Sequence, residues 1–442
     1  MKKTIIYLLL CITCCSCEKY LDTKPDTSLV VPSTVQDLQA ILDNTTRMSR
    51  CYPFATELAA DNIYLLTADY NGRTTTEKNI YIWGKDVYSD IDQNDWSLPY
   101  IVTYYANVVL DHVNNINGTD NVKGQALFFR SFSFYELLQV FAKPYKKDSA
   151  ALQAGIPLKL SPDINTPTIR NNIEVCYQQV ITDLKKAIGL LPVNQLYKTR
   201  PSKGAAYALL SRIYLSMRDY SNAWLYADSS LQLNNTLMDY NTLNASATTP
   251  IASFNVEDLF HCALNGAGAI GQSLAKMDSG LYRSYSANDL RKTIFFKDNG
   301  NGTYAFKGTY DGNGDKYNGL ATDEMYLIRA ECFARSGNTN AALTDLNTLL
   351  IKRWKTGTFI PVTATDATDA LSKILTERRK ELLMRGLRWT DLRRLNQELQ
   401  WATTITKFIN GSTYTLLPND LHYVMQIPVN VINITGIEQN PY

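Results

Sequence analysis

Apolar positions recur at helical spacing along much of the chain. In residues 97–116, Ile101, Tyr105, Val108 and His112 fall on one stripe, which predicts a helix. Residues 124–141 form a heavily aromatic helix. Its predicted partner is 172–190, where Ile173, Val180, Leu184 and Ile188 mark one face. A long loop with Pro144, Pro157, Pro162 and Pro167 joins the two. Residues 201–234 read as a helix pair, with Tyr207, Leu210, Ser211, Tyr214, Ala223, Ala227 and Ser230 at tetratricopeptide positions. Large side chains on the first helix meet small ones on the second, so the axes can approach. Residues 322–350 repeat the pattern with Tyr326, Ala330, Phe333, Gly337, Ala342, Leu346 and Leu349. Two ordinary amphipathic hairpins are the alternative. Asp369 to Arg385 predicts one more helix, stopped by Gly386. The two repeat-like units are separated by a long stretch rich in Gly, Asn and Tyr. Insertions on repeat folds tend to carry binding.

The amino-terminal segment changes this picture. MKKTIIYLLLCITCCSC has a basic start at Lys2 and Lys3 and an apolar run from Ile5 to Ile12. That run is too short to span a bilayer, and Ser16 then precedes Cys17, so the segment reads as a secretory signal peptide. A cysteine after a small residue at the cleavage point is the pattern of a bacterial lipobox. Cys17 is the expected lipid-attachment residue, with Cys15 a rival and a plain secreted leader the alternative. Residues 17–34, with Pro25 and Pro32, suit a tether.

The chain has 442 residues, 45% hydrophobic and 19% charged, enough for a large core. Its net charge of +2 comes from 44 Lys and Arg against 42 Asp and Glu. Removing Lys2 and Lys3 with the leader brings the balance to zero, which argues against nucleic acid as a partner. The 28 Tyr and 6 Trp suit sugar or peptide surfaces as well as helix packing. Besides Cys17 the mature chain keeps Cys51, Cys176, Cys262 and Cys332. Their spacing gives no disulfide framework, and Cys176 and Cys332 fall on apolar helical faces as buried thiols.

Catalytic and cofactor signals are weak. Gly266-Ala-Gly268-Ala-Ile-Gly271 spells a dinucleotide motif, with Asp289 downstream, but no doubly wound pattern surrounds it and a loop is expected. Val256 to Leu264 reads as a possible strand. Asp311-Gly-Asn313-Gly-Asp315 begins like a calcium loop, but Lys316 and Thr322 stand where Gly and Glu are needed, so a turn is expected. His112, His261 and His422 are far apart, with no HExxH and no G-x-S-x-G. No cofactor, metal or catalytic residue is assigned, and the chain is expected not to be an enzyme. Glu377, Arg378 and Arg379 read as a salt-bridged structural block, with Glu381 and Arg385 placed to pair along one helix. A carboxylate pair from distant positions would revive a surface glycoside hydrolase.

Several blocks together resemble the SusD/RagB family of outer-membrane lipoproteins. They are Cys17-Glu-Lys-Tyr20-Leu21-Asp22, Trp96 with Tyr100 and Asn107, Arg130, and Ile156-Pro157-Leu158. Asp289 and Arg291 match its D-x-R, and Asp323 to Glu331 matches a repeat helix. Glu377 to Leu382 followed by Gly386, Arg388, Trp389, Asp391 and Leu392 matches its late block, and Ile427-Pro428 to Gln439-Asn440-Pro441-Tyr442 its ending. Arg385 departs from it, where an acid is common. The resemblance implies a mainly α fold of four tetratricopeptide-like helix pairs with large irregular loop-rich insertions. It implies a signal peptide at 1–16, a tether at 17–34 and one SusD-like domain at 35–442. It also implies a surface-exposed, lipid-anchored protein of the outer membrane that captures a glycan and delivers it to a SusC-like TonB-dependent transporter. Two rival functions are a peptide-binding relative and an envelope scaffold without a small ligand.

The ligand site is expected in insertions near 60–95 and 240–320. A sugar needs aromatic platforms for its C–H faces and Asp, Asn or Arg at its hydroxyl rim. The first insertion offers Asp69, Tyr70, Arg73 and Trp83; the second offers Tyr282, Arg283, Tyr285 and Tyr304. Each aromatic among them has a place in the core as its alternative, and Trp96 is assigned to the core outright.

Overall fold

The aromatic run lies in a helix from Asp120 to Phe141 whose side chains are buried on almost every face. A helix apolar all round must be wrapped by others, and this one is. The structure, a computed structural model, describes residues 31–88 and 94–442. The expected leader, the expected lipid-attachment residue Cys17 and most of the expected tether lie outside the described residues. The longer helices are α1 (Val35–Leu42), α2 (Thr75–Ile82), α3 (Ser97–His112), α4 (Asp120–Phe141), α5 (Ile173–Leu190) and α6 (Lys203–Ser216). They continue with α7 (Tyr220–Leu233), α8 (Thr322–Arg335), α9 (Thr339–Leu350), α10 (Ala367–Glu381) and α11 (Leu387–Leu395).

α4 packs between α3 and α5, and α6 packs on α7 as α8 packs on α9. α7 in turn lies against α8, which carries the stack across the long insertion between them. The two helices of the first pair are also joined by side chains. Ser211 Oγ on α6 donates to the Ala223 carbonyl at 2.9 Å, and Ser230 Oγ on α7 donates to the Gly204 carbonyl at 3.0 Å. Arg130 on α4 donates to Asp183 on α5 and to Asn107 on α3, at 2.8 and 2.9 Å, and so ties three helices at one point.

Strands are short and occur among the described residues as two-stranded antiparallel pairs. Asp258–Phe260, inside the expected strand, pairs with Leu320–Ala321 at the entry to α8. The Gly266–Gly271 motif is a loop with a 3-10 turn at Gly268–Ile270, surrounded by no parallel sheet. Cys51, Cys176, Cys262 and Cys332 are buried free thiols. No helix among the described residues is long and apolar enough to cross a membrane.

The late sequence block departs from its helical expectation. α10 ends at Glu381 rather than Arg385, because Met384 and Gly386 take left-handed φ of 60° and 70°. Gly386 tolerates this without a Cβ, and its N–H donates to Glu57 at 2.9 Å. The turn separates Glu381 from Arg385, so the pairing expected between them does not form. Arg385 instead reaches Asp323 at the start of α8, at 2.8 Å. Glu381 receives Arg291 at 3.0 Å and Arg353 at 2.7 Å. Arg291 also holds Asp289 and Glu377, and Arg353 holds Glu257. The D-x-R and E-R-x-x-E-L blocks thus meet in a buried ionic network that fastens the second insertion to α10.

Candidate functional site

The two insertions converge through a short strand pair. Ile63–Tyr64 runs antiparallel to Lys276–Met277, with Ile63 opposite Met277 and Tyr64 opposite Lys276. Asp278 N–H adds a bond to the Asn62 carbonyl at 2.8 Å. This pairing brings Lys276 Nζ to 4.0 Å from Asp69. Asp69 lies on the short helix Thr67–Asn71, and Arg73, just past its end, donates from Nε to the Asp69 carbonyl at 3.1 Å. Thr74 and Glu77 form a reciprocal cap on α2. Glu77 also accepts from the Ala269 N–H at 2.7 Å, which seats the glycine-rich loop on that helix. A Cβ on Gly268 would meet the Arg73 guanidinium at 2.5 Å, so the two segments are in close contact.

The second insertion supplies the aromatic part. Asp278 caps the short helix Ser279–Arg283 by accepting from Leu281 N–H at 2.7 Å. That helix turns Tyr282 onto Tyr304, which sits on a hairpin of Phe296–Asp298 and Tyr304–Phe306. The rings stack with centroids 3.5 Å apart and planes 16° from parallel. Both rings are half-buried, and Arg283 beside them is exposed. Phe296 supports Tyr282 edge-on at 5.2 Å, and Lys292 Nζ stands 4.9 Å from its ring centre. Burial first, then the neighbouring Tyr304 hydroxyl, pushes the Tyr282 phenol up to about 12, so this ring is neutral at physiological pH. Lys276–Met277 lies alongside Tyr304–Phe306, and Gln272 Nε2 donates to the Phe306 carbonyl at 3.2 Å. Asp69, Arg73, Tyr282, Arg283 and Tyr304 are therefore carried by one group of interlocked segments.

Three other expected site residues are placed elsewhere. Trp83 is 5% exposed and ends α2 in a left-handed conformation, φ 58°. Its indole N–H donates to the Ala59 carbonyl at 3.0 Å, and Lys407 Nζ lies 4.9 Å from its ring centre. Tyr285 is 1% exposed, and its hydroxyl donates to the Lys380 carbonyl at 2.7 Å. Tyr70 is buried against Tyr81, with centroids 5.7 Å apart. Each of these rings is buried and held by its neighbours in the core.

One concavity was not expected from the sequence. A groove of about 620 Å³ runs between α3 and the 157–168 loop. Trp96, Tyr100, Tyr104 and Tyr105 line it from the helix, and Pro157 and Ile164 from the loop. Tyr100 hydroxyl donates to the Pro157 carbonyl at 2.8 Å, and Asn107 Nδ2 donates to the Lys159 carbonyl at 2.8 Å, which hold the loop over the helix. The adjacent Tyr104-Tyr105 pair was the available signal. Neighbouring positions lie about 100° apart on a helix, so the two rings cannot share one core-facing stripe. Tyr104 is accordingly exposed.

Among the described residues no group of three or more His, Cys, Asp or Glu is placed to hold a metal. In the Asp311–Asp315 turn, Asp311 meets His261 Nε2 at 2.9 Å, and Arg50 contacts both Asp311 and Asp315. Burial lowers the His261 pKa, but its hydrogen bonds to Asp258 and Asp311 outweigh this and raise it to about 9. The turn is thus neutralised by protein cations. Glu257 and Asp323, bridged by the Tyr310 hydroxyl at 2.5 and 3.3 Å, are closely spaced carboxylates. Both are fully buried and paired, with Arg353 and Arg385.

Comparison with known proteins agrees with this architecture. Residues 19–215 match a family model described as SusD-like, starch-binding associating with outer membrane, and residues 279–442 match the model of the SusD family. A SusD-like protein P2 from Formosa agariphila is 24% identical over 367 residues, covering 68% of this chain and 71% of that protein. A SusD superfamily protein from Bacteroides thetaiotaomicron superposes with a TM-score of 0.75 at 22% identity, over 93% of this chain and 100% of the other. A SusD-like carbohydrate binding protein from Bacteroides vulgatus gives 0.69 at 20% identity, over 92% and 97%. With both ends of the chain matched by SusD models and the mainly helical fold shared along its length, the protein belongs to the SusD/RagB family.

Proposed function

We propose that this protein is a non-enzymatic, lipid-anchored receptor of the outer cell surface, held by Cys17, that binds a glycan nutrient and passes it to a SusC-like TonB-dependent transporter. The stacked, half-exposed Tyr282 and Tyr304 carry the reading. Their outer surface offers a flat apolar platform to the C–H face of a sugar ring. Arg283, with Asp69 and Arg73 on the adjoining segments, supplies hydrogen-bond partners for ring hydroxyls. The paired strands and the ionic network behind them hold this arrangement before ligand arrives, which lowers the ordering cost of binding. Polar sugars exchange bonds to water for bonds to protein, so affinity per site is modest. Residues 35–442 act as one ligand-binding unit on the tether 17–34, and the relatives described as starch-binding and carbohydrate binding support the choice of ligand.

The test is affinity electrophoresis of the purified protein through gels containing a panel of polysaccharides, with a peptide library run in parallel. Retardation by at least one glycan, abolished in Tyr304→Ala, is the expected result. Binding of peptides and of no glycan would overturn it in favour of a peptide receptor.

A further inference from the structure

Beyond the aromatic surface and sharing no residue with it, a cavity of about 170 Å³ opens beside the end of α4. Lys143 and Lys146 stand at it from the loop after α4, Arg393 and Asn396 from α11 and its exit, and Asp420 and Tyr423 from the late turn. Three buried donors here have no acceptor in the protein: Arg393 Nε, Asn396 Nδ2 and the Tyr423 hydroxyl. Their residues are 3%, 3% and 2% exposed. The Asn396 amide sits beside the Tyr423 hydroxyl without completing a hydrogen bond to it.

The charge balance is unusual for this molecule. Arg212, Arg291, Arg353, Arg385 and Arg394 are buried, and each holds a carboxylate. Arg393 is equally buried, but its terminal nitrogens go to the Leu138, Gln139 and Ala142 carbonyls and the Gln139 side-chain oxygen. Carbonyls at a helix end offer about half a negative charge against a whole positive one. Lys143 and Lys146 add positive charge at the mouth. The one acid in the wall, Asp420, already accepts from the His422 ring at 2.5 Å and from its backbone N–H at 2.9 Å. A buried cation without a full counter-charge is costly, and an anion in the cavity supplies the missing part. Gln153, whose amide oxygen is also unpaired, lines the same cavity, and a half-turn of the amide exchanges that oxygen for its NH2.

We propose that this cavity binds a small oxyanion, a sulfate, phosphate or carboxylate group, with Arg393 Nε, Asn396 Nδ2 and the Tyr423 hydroxyl as its donors. The volume falls below the roughly 300–1,000 Å³ of sites for larger organic ligands, so one oxyanion enters, either free or as the charged substituent of a larger molecule projecting past Lys143.

Isothermal titration with sodium sulfate, phosphate and acetate, against chloride at equal ionic strength, tests the site. Glucuronate and a sulfated monosaccharide form a second arm that separates a free ion from a carried group. Saturable binding in either arm is expected. Tyr423→Phe, which keeps the ring packed on Trp389, and Lys143→Met should each weaken it about tenfold with an unchanged melting temperature in chloride. Absence of saturable binding in both arms, or equal affinity in Tyr423→Phe and the parent, would overturn the assignment and leave a cavity that holds water only.

Discussion

Arg291 Nη1 lies 3.0 Å from Glu381 Oε2, across 90 positions of chain, and neither side chain has any exposed surface. Removing one partner leaves the other charged and buried. Arg291→Met should therefore lower stability to urea by about 3–5 kcal/mol. Arg291→Lys should not restore it, because a single ammonium cannot serve Asp289, Glu377 and Glu381 as the planar fork does. A loss below about 1 kcal/mol would mean the network is not the fastening described here.

Tyr304 and Tyr282 make the opposite prediction. Both are half-buried on a short hairpin and a short helix, outside the helical core. Tyr304→Ala should reduce glycan retardation to background and lower stability by about 1 kcal/mol or less. Tyr304→Phe keeps the platform and should retain most of the binding.

Trp83→Ala is expected to behave as a core truncation, costing about 3–5 kcal/mol in urea unfolding. Its N–H bond to Ala59 and its contact with Lys407 are lost together. If this variant kept full stability while losing ligand, the ring would belong to the binding surface instead.

Lys407 sets a pH dependence. Its ammonium is buried, donates to the Leu58 and Ala59 carbonyls, and lies 4.2 Å from the Tyr81 ring centre. Burial, against the weaker pull of Asp61 and Glu57, lowers its pKa to about 7 from 10.5. Between those values the unfolded chain binds a proton that the native state does not, so this residue makes stability rise with pH. Below about 7 the proton is bound in both states and the contribution is flat. Urea unfolding from pH 7 to 9 should show a more positive slope for the parent than for Lys407→Met. Equal slopes would show that Lys407 stays charged in the fold.

The helices were legible because their signal is local. The stripe on 172–190 and the small residues of 201–234 appear as buried faces of α5, α6 and α7. The end of α10 was not, because Arg385 has a nearer acid in sequence than in space: Asp323, 62 positions back, wins it once the chain turns at Met384 and Gly386. The proposed site was legible in part. Loop composition pointed to Tyr282 and Tyr304, but whether a Trp or Tyr in a loop faces water depends on what packs behind it. Trp83 is covered by Lys407 from a hairpin more than three hundred residues away, and no pattern near Trp83 announces that. The groove along α3 escaped for the same reason, since its other wall is a proline-rich loop with no periodicity to read.

The partners of Arg291 also bear on the order in which the molecule can be completed. Glu377 and Glu381 are 86 and 90 positions downstream, so a chain emerging amino end first has made the tyrosine-bearing segment long before the groups that lock it exist. That segment must wait, loosely held, until α10 arrives. Shortened products that stop ahead of α10 should consequently keep the early helical bundle but lack a preformed tyrosine platform, and ligand capture becomes a late checkpoint that reports on a finished chain.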